Sequence, residues 1–193
     1  MTTDELREKL KSRTVGIAGC GGLGSNCAVA LARIGIGNLI IADYDKVSES
    51  NLNRQYYFLS QIGEPKVFAL KKVIQGINPG VGVIAYEIRL DPEHILRYFK
   101  DCNVIVEAFD RADQKKMLIE TVLSVFPEKP LVIGLGMAGW GSNDIIHFRK
   151  ADNIYICGDE ISEISEELPP LAPRVGIVAN MQANTVLDIL LKI

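Results

Sequence analysis

A group of closely spaced glycines gives the first indication of chemistry in this sequence. Gly19, Gly21, Gly22 and Gly24 follow a short apolar segment and precede a stretch with helical periodicity. In such a loop, backbone N–H groups and the positive end of the helix face a bound phosphate. Asp43 ends a second apolar segment, where a carboxylate accepts hydrogen bonds from ribose hydroxyls. The pattern predicts a site for NAD, FAD or ATP, with a glycine-rich turn used only for packing as the alternative.

A polar loop of 21 residues after Asp43 narrows the choice of nucleotide. Connections of this kind usually need about 2–6 residues. Arg54 can contact phosphate oxygens with two parallel hydrogen bonds, Asn51 and Gln55 offer donors and acceptors, and Lys66 adds a second cation. Transfer of a phosphoryl or nucleotidyl group needs such cations because negative charge builds up on phosphate oxygens. Taken singly, Arg54 or Lys66 could be an ordinary surface charge, but together they indicate catalysis.

Alternating strand and helix patterns must position these residues. Each strand segment is a nearly continuous apolar run, which is typical of a parallel sheet covered by helices on both faces. Two short segments, 145–148 and 154–156, predict an antiparallel hairpin at the sheet edge. We therefore expect a Rossmann-like α/β fold. The predicted strands are 14–18, 38–42, 81–86, 104–109 and 131–135, and the predicted helices are 4–12, 25–36, 65–77, 91–100, 114–125 and 176–191.

The length and charge of the chain favour one globular domain over residues 1–193. The balance of 21 basic and 24 acidic residues gives a net charge of −3, which argues against nucleic-acid binding. The predicted crossover segment 150–174 is acidic, as expected for a solvated loop or for a docking surface for a basic partner. The first residues lack the features of a secretory signal, and no apolar run reaches the ~20 residues of a membrane span. We therefore expect a cytoplasmic protein that does not contact membranes.

The four cysteines are too far apart in sequence for the usual paired spacing of a zinc site. They occupy positions 20, 27, 102 and 157, and no C-x-x-C pair occurs. We expect neither a disulfide framework nor a zinc site. Cys157 is the one candidate nucleophile in the crossover region, although the acidic neighbours Asp159 and Glu160 would raise the pKa of its thiol.

The run from Gly19 to Lys66 resembles the ThiF/MoeB family, the bacterial relatives of ubiquitin-activating enzymes. That family has the motifs G-x-G-G-x-G, D-x-D-x-V, S-N-L-x-R-Q and a P-K pair that opens a helix. The resemblance extends over 13–193, includes Asn78-Pro79 and the segment 171–183, and is strongest to a short ThiF-like branch. The matching motifs here are Gly19-Cys-Gly-Gly-Leu-Gly24, Asp43-Tyr-Asp45-Lys-Val47, Ser50-Asn-Leu-Asn-Arg-Gln55 and Pro65-Lys66.

This resemblance implies an ATP-dependent adenylyltransferase acting in thiamine or related sulfur-cofactor biosynthesis. Its substrate would be the C-terminal carboxylate of a small ubiquitin-fold sulfur carrier protein ending in Gly-Gly, and the enzyme would be a homodimer. Asp110, after the fourth strand, would bind Mg²⁺ and act in catalysis with Arg54 and Lys66. The residues implied to bind ATP are Gly19, Gly21, Gly22, Gly24, Asp43, Asp45, Ser50, Asn51, Arg54, Gln55 and Lys66.

The sequence departs from the family pattern in several places. Arg111 stands where an asparagine usually follows the magnesium-binding aspartate, and the paired cysteines of a structural zinc site are missing. Many relatives have an N-terminal arm with an arginine that reaches the partner subunit, a role that would fall here to Arg7 or Arg13. Some relatives also use a cysteine just before the last helix, where 166–174 contains none.

Two other functions stay open from the sequence. An NAD-dependent oxidoreductase explains the glycine loop and Asp43 but leaves Arg54, Lys66 and Asp110 without a joint purpose. A non-catalytic nucleotide-binding subunit is the other candidate, although the intact charged residues argue against it. Asp110 can also be interpreted as a helix cap. Trp140, in a glycine-rich loop, is expected to form one wall of the substrate groove or to be an exposed packing residue.

Overall fold

A computed structural model describes residues 1–192 as a seven-stranded sheet covered by helices. The strand order is β3-β2-β1-β4-β5-β7-β6, and all neighbours are parallel except β6 and β7, which are antiparallel. This arrangement confirms the predicted Rossmann-like fold with its antiparallel edge hairpin. The strands are β1 (Thr14–Ala18), β2 (Asn38–Asp43), β3 (Gly82–Glu87), β4 (Val104–Glu107), β5 (Leu131–Gly134), β6 (His147–Ala151) and β7 (Ile154–Gly158).

The helices pack on both faces of the sheet because the central strands are apolar on both sides. One core cluster joins the sheet to the helices α2, α3 and α6, and a second joins it to α4 and α5. Among residues 1–192, no helix combines the length and the apolar character needed to cross a bilayer. The helices are α1 (Thr3–Leu10), α2 (Gly22–Ile34), α3 (Lys66–Ile77), α4 (Pro92–Phe99), α5 (Ala112–Val125) and α6 (Ala172–Lys192).

The register of the central strands aligns the carboxyl ends of β1, β2 and β4, so the loops that follow these strands lie together. Ala18 at the end of β1 pairs with Ala42 of β2 on one side and with Glu107 of β4 on the other. The chain proceeds outward from β1 to β3 and then returns to β4 on the opposite side of β1. In open α/β sheets, ligands bind at the carboxyl ends of the strands at this point of reversal.

Some element boundaries differ from the sequence-based prediction. The second helix begins at Gly22 rather than at residue 25, so it includes two glycines of the loop. The last helix begins at Ala172 rather than at 176, with Pro173 in its first turn, where a missing N–H costs nothing. The strand β4 ends at Glu107 rather than at 109, because the Glu107 side chain accepts a hydrogen bond from the amide of Phe109 and turns the chain.

Candidate active site

A cleft of about 330 Å³ lies at the carboxyl ends of β1, β2 and β4. Three walls come from the loops that follow these strands, and a fourth comes from Met137, Ile164, Pro170 and Val175, further along the chain. The cleft therefore unites segments that are far apart in sequence. Among the predicted site residues, it is lined by Gly19, Gly21, Gly22, Asp43, Asp45, Arg54, Gln55, Lys66 and Asp110.

The glycine loop brings the first turn of α2 against the cleft. Gly19 has a φ of +98°, a left-handed conformation that residues with a Cβ rarely adopt. Gly24 does not line the cleft, and a Cβ there would overlap the carbonyl oxygen of Gly19. This close approach lets α2 begin at Gly22 and point its unpaired N–H groups at a ligand.

Asp43 is fixed by backbone amides at the end of β2. One carboxylate oxygen accepts from the amide of Cys20 at 2.6 Å, and the other accepts from the amide of Asp45 at 2.8 Å. Burial raises the pKa of Asp43, while Lys66 and the two amides act in the opposite direction. Because each carboxylate oxygen has two lone pairs, both retain acceptor capacity for hydroxyl groups of a ligand.

Lys66 is held at the cleft by its position and by an ion pair. It is the first residue of α3, after Pro65, and its side chain is only 7% exposed. Its Nζ lies 2.8 Å from a carboxylate oxygen of Asp45, which is itself more exposed. A buried ammonium group needs such a partner. A phosphate in the cleft offers Lys66 a second one.

Arg54 reaches the cleft from the long polar loop. Its Nη1 donates to the carbonyl of Ser50 at 3.0 Å and to Oδ1 of Asn53 at 2.8 Å. Burial lowers the pKa of Arg54, and the nearby Asp110 carboxylate acts in the opposite direction. Ser50 and Asn51 do not line the cleft. Asn51 instead accepts from the amide of Ser48 at 3.0 Å, so both residues shape the loop that presents Arg54.

Asp110 is an exposed carboxylate beside the predicted phosphate site. The helix α5 begins at Ala112, and its N-cap is Arg111 without a side-chain cap, so Asp110 does not cap this helix. Arg111 instead pairs with Asp113 at 3.0 Å. Within residues 1–192, no cluster of three or more His, Cys, Asp or Glu side chains could hold a metal ion. Magnesium usually needs only one or two carboxylates in addition to substrate phosphates, so Asp110 suits it.

The predicted residue Gln55 has unused hydrogen-bonding capacity at the cleft, and a nearby pair of charged residues was not predicted from the sequence. The Oε1 atom of Gln55 is buried without a hydrogen-bond partner among the described residues. Below the cleft, the Nζ of Lys115 lies 2.7 Å from the buried carboxylate of Glu107 and donates to the carbonyl of Gly134 at 2.9 Å. Burial raises the pKa of Glu107, and Lys115 acts in the opposite direction. A Glu and a Lys eight positions apart give no recognisable sequence signal.

Cys157 lies in the core rather than at the surface. It is 0% exposed on β7, and its Sγ is 3.7 Å from the hydroxyl of Thr185 on α6. Burial raises the pKa of its thiol to about 11. A raised pKa was predicted from the neighbouring acids Asp159 and Glu160, but that cause was wrong, because burial raises it. A covalent role for Cys157 would require α6 to separate from β7.

Three other residues that were candidates for a role at the site, Arg7, Arg13 and Trp140, do not line the cleft. Arg7 and Arg13 are in the N-terminal segment, and neither lines the cleft. Arg7 packs beside Gly35, after the end of α2. Trp140 is 66% exposed and does not line the cleft either, whereas Met137 in the same loop does.

The amino-acid sequence is similar to one protein family and to several known proteins. The sequence profile of the ThiF family matches residues 1–193. A tRNA threonylcarbamoyladenosine dehydratase from Bacillus subtilis is 35% identical over 159 residues, covering 81% of this chain and 61% of that protein. A sulfur carrier protein adenylyltransferase from Thermus thermophilus is 34% identical over 131 residues, covering 67% of this chain and 48% of that protein.

A solved structure shares the fold over nearly the whole chain. The crystal structure of E. coli tRNA N6-threonylcarbamoyladenosine dehydratase in complex with ATP superimposes with a TM-score of 0.87. It is 19% identical and covers 98% of this chain and 90% of that one. The chain spans about half the length of several curated relatives that it matches, from 43% to 48%.

Proposed function

The chain belongs to the ThiF family, and we propose that it is an ATP-dependent adenylyltransferase. Its second substrate, the acceptor, is the C-terminal carboxylate of a small ubiquitin-fold sulfur carrier protein ending in Gly-Gly. The observation that supports the proposal is the shared cleft: the glycine loop, Asp43, Arg54, Lys66 and Asp110 all line the same cavity. The activated carrier then delivers sulfur for the synthesis of thiamine or a related sulfur-containing cofactor. The enzyme acts as a homodimer.

The proposed reaction forms an acyl adenylate. An oxygen of the acceptor carboxylate attacks the α-phosphorus of ATP, a new O–P bond forms, and the bond from the α-phosphorus to the bridging oxygen breaks. Pyrophosphate leaves with the electron pair of that bond. No general base is needed, because a carboxylate with a pKa near 4 is already ionised at neutral pH. The tasks left to the protein are positioning and charge stabilisation.

Each residue of the cleft has a role in this proposal. The amides at the start of α2 bind phosphate oxygens, and Asp43 accepts hydrogen bonds from the ribose hydroxyls. Arg54 and Lys66 stabilise the negative charge that develops on the phosphates. Asp110 and the phosphates would together hold Mg²⁺, which when bound would neutralise charge on the leaving pyrophosphate.

The acidic surroundings favour a protein acceptor over a nucleic acid. Ile164 lines the cleft, and its neighbour Glu163 and the nearby Glu166 and Glu167 are all exposed. These acids repel a phosphate backbone and attract a basic protein surface. An oxidoreductase makes no comparable use of Arg54, Lys66 and Asp110, so the geometry favours nucleotidyl transfer.

Pyrophosphate exchange tests the proposal. The purified protein with Mg²⁺ is expected to exchange labelled pyrophosphate into ATP only when a Gly-Gly-ending carrier is present, because the acyl adenylate is reversed by pyrophosphate. Asp110→Ala should abolish exchange, while Asp188→Ala, which removes an exposed acid paired with Lys192 on α6, should retain it. Absence of exchange with every carrier tried contradicts the function, and exchange supported by tRNA alone assigns a different acceptor.

A further inference from the structure

Two segments line part of the cleft and contain none of the predicted nucleotide-binding residues. The glycine-rich loop after β5, residues 136–141, contributes Met137, and the crossover between β7 and α6, residues 159–170, contributes Ile164 and Pro170. We call these two segments together the acceptor wall. Met137, Ile164 and Pro170 are distinct from the predicted nucleotide-binding residues, so they are the residues left to contact the second substrate.

A buried ion pair anchors both segments. One carboxylate oxygen of Asp159 accepts from the amides of Ile161 at 2.9 Å and Ser162 at 2.7 Å. The other oxygen lies 2.6 Å from a guanidinium nitrogen of Arg174 in the first turn of α6. A second guanidinium nitrogen donates to the carbonyl of Gly141. Asp159 and Arg174 thus connect the loop, the crossover and the last helix.

Further hydrogen bonds join the two segments directly. The amide of Ala138 donates to the hydroxyl of Ser162 at 3.1 Å, and the amide of Gly139 donates to the carbonyl of Pro169 at 2.9 Å. The amide of Asp159 donates to the carbonyl of Gly136 at 3.1 Å. None of these three bonds involves a predicted nucleotide-binding residue. Displacing one segment therefore displaces the other.

The burial of this pair makes simple stabilisation an incomplete explanation. The side chains of Asp159 and Arg174 are 0% and 4% exposed, and Nε of Arg174 is buried without a partner among residues 1–192. Burial alone would raise the pKa of Asp159, but hydrogen bonds from Ser162 and Arg174 lower it to about 2. Desolvating two charges is costly, and apolar side chains of similar volume often stabilise a core equally well. What the charges add is a defined geometry.

We propose that Asp159 and Arg174 are positioning residues that hold the acceptor wall and so determine how the acceptor carboxylate is placed, while leaving ATP binding unaffected. Neither residue lines the cleft, and each acts through the residues that it holds, Met137, Ile164 and Pro170. This inference rests on the proposed adenylyltransferase function. The physical effect on the wall, however, is measurable without any carrier protein.

Hydrogen exchange with the isolated protein is the first test. Asp159→Asn and Arg174→Lys are expected to increase amide exchange in 136–141 and 159–170 by at least about tenfold, because local opening becomes easier. Asp188→Asn is the matched control, since Asp188 is an acid in an exposed ion pair with Lys192 on α6, outside both segments. ATP affinity should stay within about twofold in all three variants. Unchanged exchange in the acceptor wall overturns the inference, whatever the protein's activity.

Steady-state kinetics are the second test. Both variants are expected to raise the KM for the carrier by about tenfold or more while leaving the KM for ATP unchanged, with a smaller effect for Arg174→Lys than for Arg174→Met. A general loss of structure would raise both KM values, and that result contradicts a positioning role. If wild-type protein activates no carrier, the proposed function fails, and hydrogen exchange still shows whether the ion pair holds the wall.

Discussion

Three charged side chains of the cleft are held in place by neighbouring polar groups of the protein. Lys66 contacts Asp45, Arg54 is held by a loop carbonyl, and Asp43 is fixed by two backbone amides. Groups that are already oriented stabilise developing charge without reorganisation at the moment of reaction. Replacing one of them should therefore affect the chemical step more than it affects the fold.

Lys66 offers a direct test at the residue scale. Lys66→Ala is expected to lower kcat for adenylate formation by about 10²–10³-fold, because it removes a preorganised positive charge from the phosphate site. Lys72→Ala is the matched control, since Lys72 lies on the same helix but is exposed and paired with Glu64. Pyrophosphate release measures both variants. Equal rates for the two variants would contradict a catalytic role for Lys66.

The thiol of Cys157 gives a second residue-scale prediction. Its pKa of about 11 and its burial predict slow alkylation of the native protein at pH 8, because only the thiolate reacts and the group is not accessible. The alkylation rate should rise with pH and should increase sharply on unfolding. Cys157→Ala should retain pyrophosphate exchange, because adenylation precedes any thiol step. Rapid alkylation of Cys157 in the native protein at pH 8 would contradict its burial beneath α6.

At the scale of elements, the Glu107–Lys115 pair joins β4, α5 and β5 beneath the cleft. Lys115→Met is expected to destabilise the protein by about 3–5 kcal/mol, because it leaves a buried carboxylate without a partner. The double variant Glu107→Gln with Lys115→Met should recover much of this loss, since no uncompensated charge remains. Denaturant unfolding at constant pH measures both effects. If Lys115→Met alone were as stable as the wild type, water would have to solvate the carboxylate of Glu107 in place of Lys115.

The pH dependence of the same variant follows from the raised pKa of Glu107. A carboxyl group whose pKa is higher in the folded than in the unfolded state binds its proton more tightly when folded. Its protonation therefore stabilises the fold as pH falls, and stability declines as pH rises from about 4.3, the unfolded value, through the folded pKa. Removing Lys115 raises that pKa further. The destabilisation of Lys115→Met should consequently be smaller near about pH 5 than near about pH 8, and a pH-independent loss contradicts this account.

Local sequence patterns predicted the strands and most helices because apolar runs and their periods depend on neighbouring residues. They placed the start of α2 three residues too late, since Gly22 and Gly24 are poor helix formers, and a close contact with Gly19 decides the boundary. Ser50 and Asn51 stay predicted ligand-binding residues, and in the structure their side chains make hydrogen bonds within their own loop, which the sequence did not indicate. Asp159 and Arg174 could not be paired from sequence, because nothing local specifies which of many acids lies opposite an arginine.

At the scale of the whole molecule, the cleft connects the two ends of the chain. Its lining runs from Gly19 after the first strand to Val175 in the last helix, and α2 packs directly on α6. A ligand that contacts all of these segments binds only the assembled sheet. Binding free energy therefore adds to the free energy of global unfolding rather than to that of one loop.

Nucleotide-dependent thermal stability provides the last test. At 100 times its Kd, ATP with Mg²⁺ should stabilise the fold by about 2.7 kcal/mol and raise the Tm by several degrees. NADH should produce no comparable shift if Arg54 and Lys66 bind a triphosphate, as proposed. Lys66→Ala should reduce the ATP-dependent shift, while Lys72→Ala should retain it. Stabilisation by NADH without stabilisation by ATP contradicts the proposed adenylyltransferase and favours an oxidoreductase, because the Tm reports which nucleotide the assembled cleft binds.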